Sequence, residues 1–254
     1  MMLETFQDQG YAVFPEFLEK AEIDTLKAAV DEHAAAQPQR HAYENEQIGA
    51  LVWHPRVGEL VDELMGGPYV FHHIHAARHD AGKNGVSWHQ DYEQYPQTNR
   101  SHLMVHVFFY LNGLNGTIGD LLLVPGSHRY ATDSRALTFL GTSDLPGSIT
   151  VDDVPPGSVL IVHSAMWHAR RPKPGGEDSP RWFIDASYGR SGVKWPSYRA
   201  PGMLANLRER HVAAGGTRPW LFDETQFFDG ARARATMGSL EGSVMLDLPQ
   251  WQNS

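Results

Sequence analysis

The chain has 254 residues, a formal net charge of −9 at pH 7 and no cysteine. An acidic balance of this size excludes general binding to nucleic acid or an anionic membrane, whose phosphates call for clustered lysine and arginine, although one buried arginine would still serve a small anion. The missing cysteines exclude disulfides and thiolate metal sites, and sixteen prolines with twenty-four glycines favour a loop-rich β fold over a helical bundle.

The first eight residues show no basic region followed by an apolar one, and no apolar run approaches the roughly 20 residues of a membrane span. The expectation is a soluble, cytoplasmic protein. Residues 6–14 read as a short amphipathic turn and strand. Within residues 19–36, Ile23, Leu26 and Val30 recur at helical spacing. Pro55 suits the first turn of a second helix with Val57, Leu60, Val61 and Leu64 on one face, ended by Gly66-Gly67. From Tyr69 the pattern changes to short apolar runs at 69–75, 103–111, 120–124, 148–151, 158–163 and 181–188. The turns between them are supplied by Asn112-Gly113, Asn115-Gly116, Pro125-Gly126, Pro146-Gly147 and Pro156-Gly157. Such spacing predicts a sandwich or barrel of antiparallel strands. Two helices are expected near Met203–Ala213 and 223–233. The chain thus reads as a single domain with N-terminal helices over 1–68, a barrel core over 69–190 and a C-terminal helical segment over 191–254.

Trp88-His89-Gln90-Asp91 carries the first chemical signal. Residues i and i+2 of an extended segment project to one side, so His89 and Asp91 can reach one metal at roughly 2 Å. About one His-x-Asp triplet is expected by chance in a chain with fourteen histidines, and alone it also fits a surface histidine beside a solvated aspartate. Its company changes the weight. His168 lies just past the apolar run 158–163, and Arg181 opens the next run, Trp182-Phe183-Ile184. Two imidazoles and one carboxylate on one face make a three-ligand site for ferrous iron with positions left open. An arginine at the start of a barrel strand would place a planar fork for a carboxylate inside the barrel.

In this order, Gly10-Tyr11, Trp88-His89-Gln90-Asp91, the segment 119–129 containing Pro125-Gly126-Ser127-His128, the segment 156–168 and Arg181 resemble the phytanoyl-CoA dioxygenase family, which includes ectoine hydroxylase and many bacterial small-molecule oxygenases. The resemblance covers residues 5–190. It implies a mainly β fold, a double-stranded β-helix (jelly roll, cupin-like) with flanking α-helices, together with Fe(II), 2-oxoglutarate as co-substrate, and O2. Carried over by position, His89, Asp91 and His168 match the iron ligands, and Arg181 matches the arginine that pairs with the far carboxylate of 2-oxoglutarate. His163 competes with His168, and the family's strand ending favours His168. Arg78 falls where relatives often carry a lysine and His72 where a glutamine sometimes touches the co-substrate. Tyr110, with His106 and Phe108 on the same strand face, would line the pocket or belong to an aromatic core. His128 reads as part of a structural turn.

Two departures accompany the match. Relatives often continue His-Gly-Ser where this chain has His168-Ala169-Arg170-Arg171, and the loop to Arg181 is longer, so a serine contact to 2-oxoglutarate is missing. Arg170 and Arg171 read as solvent-facing, with help to Arg181 as the alternative. The reading implies hydroxylation of an aliphatic carbon of a small molecule, with release of succinate and CO2. Asp91 stands where halogenating relatives need a small residue, whereas desaturation, epimerisation and ring closure would use the same ligands. Tyr92, Glu93 and Tyr95 could face the substrate, and Trp220-Leu221-Phe222 could cover the mouth. The rivals are a non-catalytic binding protein on a cupin-like barrel and a zinc-dependent hydrolase or isomerase.

Overall fold

A computed structural model of the chain describes residues 2–36, 40–93, 101–172, 180–197 and 202–229. In chain order the N-terminal part comprises α1 (Met2–Gln9), β1 (Tyr11–Phe14), α2 (Lys20–Ala35), α3 (Glu46–Ala50) and α4 (Pro55–Met65). Strands β2 (Tyr69–His79), β3 (Val86–His89), β4 (Met104–Tyr110), β5 (Leu121–Leu123), β6 (Ile149–Val151), β7 (Ser158–His163), β8 (His168–Arg170) and β9 (Arg181–Arg190) follow. β10 (Trp195–Ser197), α5 (Met203–Ala213) and β11 (Phe227–Asp229) complete it. Helix α4 begins on Pro55 and stops where Gly66 takes the left-handed conformation at φ 57°, as its punctuation dictates.

The strands form two facing antiparallel sheets, of order β1-β7-β4-β9-β2 and β3-β8-β5-β6, in the jelly-roll arrangement. Alternation along the strands sorts their side chains. Val105, Val107 and Phe109 of β4, Val159 and Ile161 of β7, and Ile184 and Ala186 of β9 join the apolar core beneath the helices, with Ile23, Leu26, Val30, Val57 and Val61. The opposite residues of β4 and β9 face the interior between the sheets. Strand β4 is buried along its whole length because it is covered on both faces. The smaller sheet turns Trp88, Leu122 and Ala169 outward onto Leu137, Leu140 and Leu145, and Leu121 and Leu123 inward.

Three expectations change. β1 pairs with β7 and is the edge strand of the larger sheet, so the barrel begins at residue 11 and not at 69. Residues 2–9 form a helix before it. The helix expected over 223–233 is absent from its described part: Asp223 caps a single turn at Glu224–Gln226, and the paired aromatics of Phe227–Asp229 form a parallel pair with β10. Residues 230–233 lie outside the described part. Among the described residues no helix is long and apolar enough to cross a membrane.

Strand β2 contains one irregularity that matters for the interior. Its pairing with β9 slips between Phe71 and His73, leaving His72 as an extra residue. Beyond such a bulge the sets of inward and outward side chains are exchanged.

Candidate active site

His89 at the end of β3 and His168 at the start of β8 are register partners in the smaller sheet, which brings residues far apart in sequence side by side. Their rings lie 4.2 Å apart between centroids. Asp91 follows two residues on, its amide N–H tied to Ser164 O at 2.8 Å. Asp91 Oδ1 lies 3.4 Å from His89 Nε2 and Oδ2 lies 3.1 Å from His168 Nε2, and the three ligand atoms fall within 4.8 Å of one another. Ligands held roughly 2.1 Å from one ion at right angles are about 3 Å apart, so the set fits a single metal ion.

The ring orientations are fixed from behind. His89 Nδ1 lies 2.8 Å from Ser87 O and His168 Nδ1 3.2 Å from Met166 O, so both rings turn Nε2 toward Asp91. Burial and the neighbouring His168 push His89 down to about 4, keeping it neutral. Burial alone would raise Asp91, but His168, His106 and His89 hold its carboxyl well below its usual value. A neutral imidazole at His89 and an ionised carboxylate at Asp91 are protonation states that a divalent cation requires. His163 is elsewhere: its Nδ1 accepts from Ala165 N, and its ring packs on Phe6, Tyr92 and His128. His128 sits on Gln7 O, and a side chain at Gly10, which has φ 84°, would strike it at 2.4 Å.

These residues open into a cavity of about 480 Å3 between the sheets. At one end Arg181, 3% exposed, stacks over Phe183 at 4.2 Å and Tyr110 at 5.2 Å and donates from Nη1 to His79 Nδ1 at 3.2 Å. Burial and the charges of Arg181 and Arg170 push His79 down to about 3, so it accepts. Burial raises Tyr110 to about 12 and leaves it a protonated donor. The Tyr110 hydroxyl lies against the Arg181 guanidinium, and beyond this pair neither it nor Arg181 Nε has a hydrogen-bond partner among the described residues. At the other end His106 Nδ1 lies 2.9 Å from both oxygens of Asp185. Burial opposes its charge, but Asp185, Asp91 and Glu93 raise it to about 9. Its Nε2 has no partner among the described residues.

The structure therefore brings together His89, Asp91, His168, Arg181 and Tyr110, with Phe108, His106 and Glu93 on the same cavity. His72 and Arg78 do not join them. His72 donates to Pro196 O at 3.0 Å and packs against Trp195 and Phe227, while Arg78 leaves the barrel for Asp31 and Asp80. Both errors have one cause. An uninterrupted strand with His72 inward also turns Arg78 inward, but the bulge hands the cavity to His73, His75, Ala77 and His79. Arg170, read as solvent-facing, is 8% exposed and lines the cavity. The alternation His168, Arg170 was the signal for it. Arg171 does face outward, bound to Asp144. Leu221 and Phe222 are buried in the core on the helical side rather than over the mouth, and Tyr95 lies outside the described residues.

The profile of the phytanoyl-CoA dioxygenase (PhyH) family matches residues 6–173. No curated protein matches the chain by sequence. Solved structures share its fold. The non-heme alpha-ketoglutarate-dependent epimerase SnoN from nogalamycin biosynthesis superposes with a TM-score of 0.64 at 16% identity, over 80% of this chain and 87% of its own. The carbocyclase SnoK from the same biosynthesis gives 0.62 at 20%, over 81% and 89%. HygX from Streptomyces hygroscopicus, crystallised with nickel, 2-oxoglutarate and hygromycin B, gives 0.63 at 18%, over 77% and 89%. With the family profile spanning about two-thirds of its length, the chain belongs to the phytanoyl-CoA dioxygenase family.

Proposed function

We propose that the protein is an Fe(II)- and 2-oxoglutarate-dependent oxygenase that hydroxylates an aliphatic carbon of a small molecule. The observation that carries this reading is the pairing, in one cavity, of a His89–Asp91–His168 set within 4.8 Å with a buried Arg181 that has no carboxylate partner among the described residues. Arg181 lies beyond the residues matched by the family profile, so its role rests on geometry. The fold neighbour HygX holds 2-oxoglutarate together with a metal.

His89, Asp91 and His168 would hold the iron and leave its remaining positions open. Iron bound there, with 2-oxoglutarate and O2, supplies the oxidising chemistry and yields succinate, CO2 and hydroxylated product. The chain's residues do the rest. Arg181 binds the far carboxylate of the co-substrate, and Tyr110 offers its hydroxyl beside it. Phe108, Phe183 and Leu121 exclude water from the space between the clamp and the metal ligands. The wall of His73, His75, Glu93, His106 and Asp185 receives the substrate, with His106 Nε2 as a fixed donor. The cavity volume suits a small metabolite, and neither nucleic acid nor membrane enters this reading. A hydrolytic zinc site would need no arginine behind the ligands, and a bare binding protein would need no metal set.

The test is succinate release from 2-oxoglutarate in the presence of Fe(II), ascorbate and a panel of small molecules, with anaerobic 2-oxoglutarate binding measured alongside. Absence of both sinks the oxygenase reading. Product mass separates the outcomes: hydroxylation adds one oxygen, epimerisation leaves the mass unchanged, and ring closure or desaturation removes two hydrogens.

A further inference from the structure

Arg170 stands two residues beyond His168 on β8, on the same side of the strand, and so shares the cavity with the metal ligand. It is 8% exposed, and among the described residues its guanidinium bonds only to main-chain oxygens, Asn84 O at 2.7 Å and Arg171 O at 3.4 Å. Arg78, Arg129, Arg171 and Arg218 each pair with an aspartate. Arg170 and Arg181 do not, among the described residues. Gly119, at φ 88°, marks where they converge: a Cβ there would sit 3.5 Å from Arg170 Nη1 and 3.6 Å from Arg181 Cδ. Lys83 lines the same end, and among the described residues that line it there is no carboxylate. Asp120 acts on Arg181 from a distance without pairing with it. In a chain of net charge −9, two desolvated guanidinium groups side by side, with no ion pair among the described residues, form an anion site that is complete only when filled.

We propose that Arg170 and Arg181 grip the far carboxylate of 2-oxoglutarate together, a two-arginine clamp that rests on the oxygenase reading above. Arg170 occupies the position left without the serine contact, replacing a neutral hydrogen bond with a charged one. Strand β8 is held between β3 and β5, which fixes the spacing from His168 to Arg170 and so selects the length of the dicarboxylate.

The experiment measures anaerobic binding of 2-oxoglutarate, and of 2-oxopentanoate, which has the same chain without the far carboxylate, to the Fe(II)-loaded protein by calorimetry. Arg170→Gln is expected to weaken 2-oxoglutarate roughly ten- to a hundredfold and to leave 2-oxopentanoate unchanged. Arg170→Lys should fall between Arg170→Gln and wild type, with Fe(II) affinity and thermal unfolding unaltered in both variants. Wild-type affinity for 2-oxoglutarate in Arg170→Gln overturns the clamp while leaving the oxygenase reading standing, and so does equal weakening of both acids, which would place the effect at His168. Failure of the wild-type protein to bind either acid overturns both.

Discussion

Within four residues of β9 the inward-facing side chains pass from Arg181 through Phe183 to Asp185, a span of about 13 Å. The two ends of the cavity thus reached are built on opposite terms. Around Asp185 the carboxylate is answered inside the protein, since His106 Nδ1 lies 2.9 Å from both of its oxygens. Around Arg181 no carboxylate forms an ion pair among the described residues, Arg170 and Lys83 add positive charge, and His79 is neutral. A self-neutralised wall keeps its shape when empty and offers directional hydrogen bonds. An uncompensated one asks for an anion. The metal ligands lie between these walls, so the contrast assigns the co-substrate to one side and the substrate to the other.

That contrast can be broken in several places. The largest effect is expected at the boundary: Asp91→Ala should cut succinate formation by roughly a hundredfold or more while the circular dichroism spectrum stays that of the wild type. Turnover at the wild-type rate would remove Asp91 from the metal. At the basic end, Arg181→Ala should raise the Kd for 2-oxoglutarate roughly a hundredfold, read by anaerobic titration. At the acidic end the signature is in stability. An unfolded histidine titrates near 6.5 and His106 near 9, so the pair's contribution, at most about 3 kcal/mol, is complete below pH 6.5 and drains away as the pH rises through 9. Urea midpoints across that range should fall for the wild type and fall less for Asp185→Asn; identical slopes would remove the ion pair. Arg78→Ala, outside the barrel, should alter neither 2-oxoglutarate binding nor turnover.

The sequence displayed much of this and concealed one register. The ligand set was legible because His89 and Asp91 stand two residues apart in an extended segment and His168 lies just past the apolar run 158–163. The helices over 20–35 and 55–65 were legible because their apolar stripes and glycine or proline ends are local signals. His73, His75 and His79 were hidden because a bulge has no residue signature of its own, and the extra residue is one histidine beside another. Arg170 was hidden for a different reason. A double arginine between prolines and glycines looks solvated, and only the pairing of β8 with β5 and β3 shows that one of the two faces inward. Residues 223–229 were misread because their pairing partner, Trp195–Ser197, lies outside any local window.

The order β1-β7-β4-β9-β2 also governs how the site comes into being. β9 is the last strand of this sheet to be synthesised, yet it lies between β4 and β2, and the first strand, β1, waits for a partner about 150 residues downstream. A ribosome-bound chain lacking residues 181–190 leaves β2 unpaired and carries His89 and Asp91 without a closed barrel behind them. Nearly all the pairings that close the larger sheet are long in sequence, a topology that folds slowly and offers little structure for a nucleus to grow on by local steps. The metal centre is therefore a late product of folding, assembled only after the chain has been made through β9.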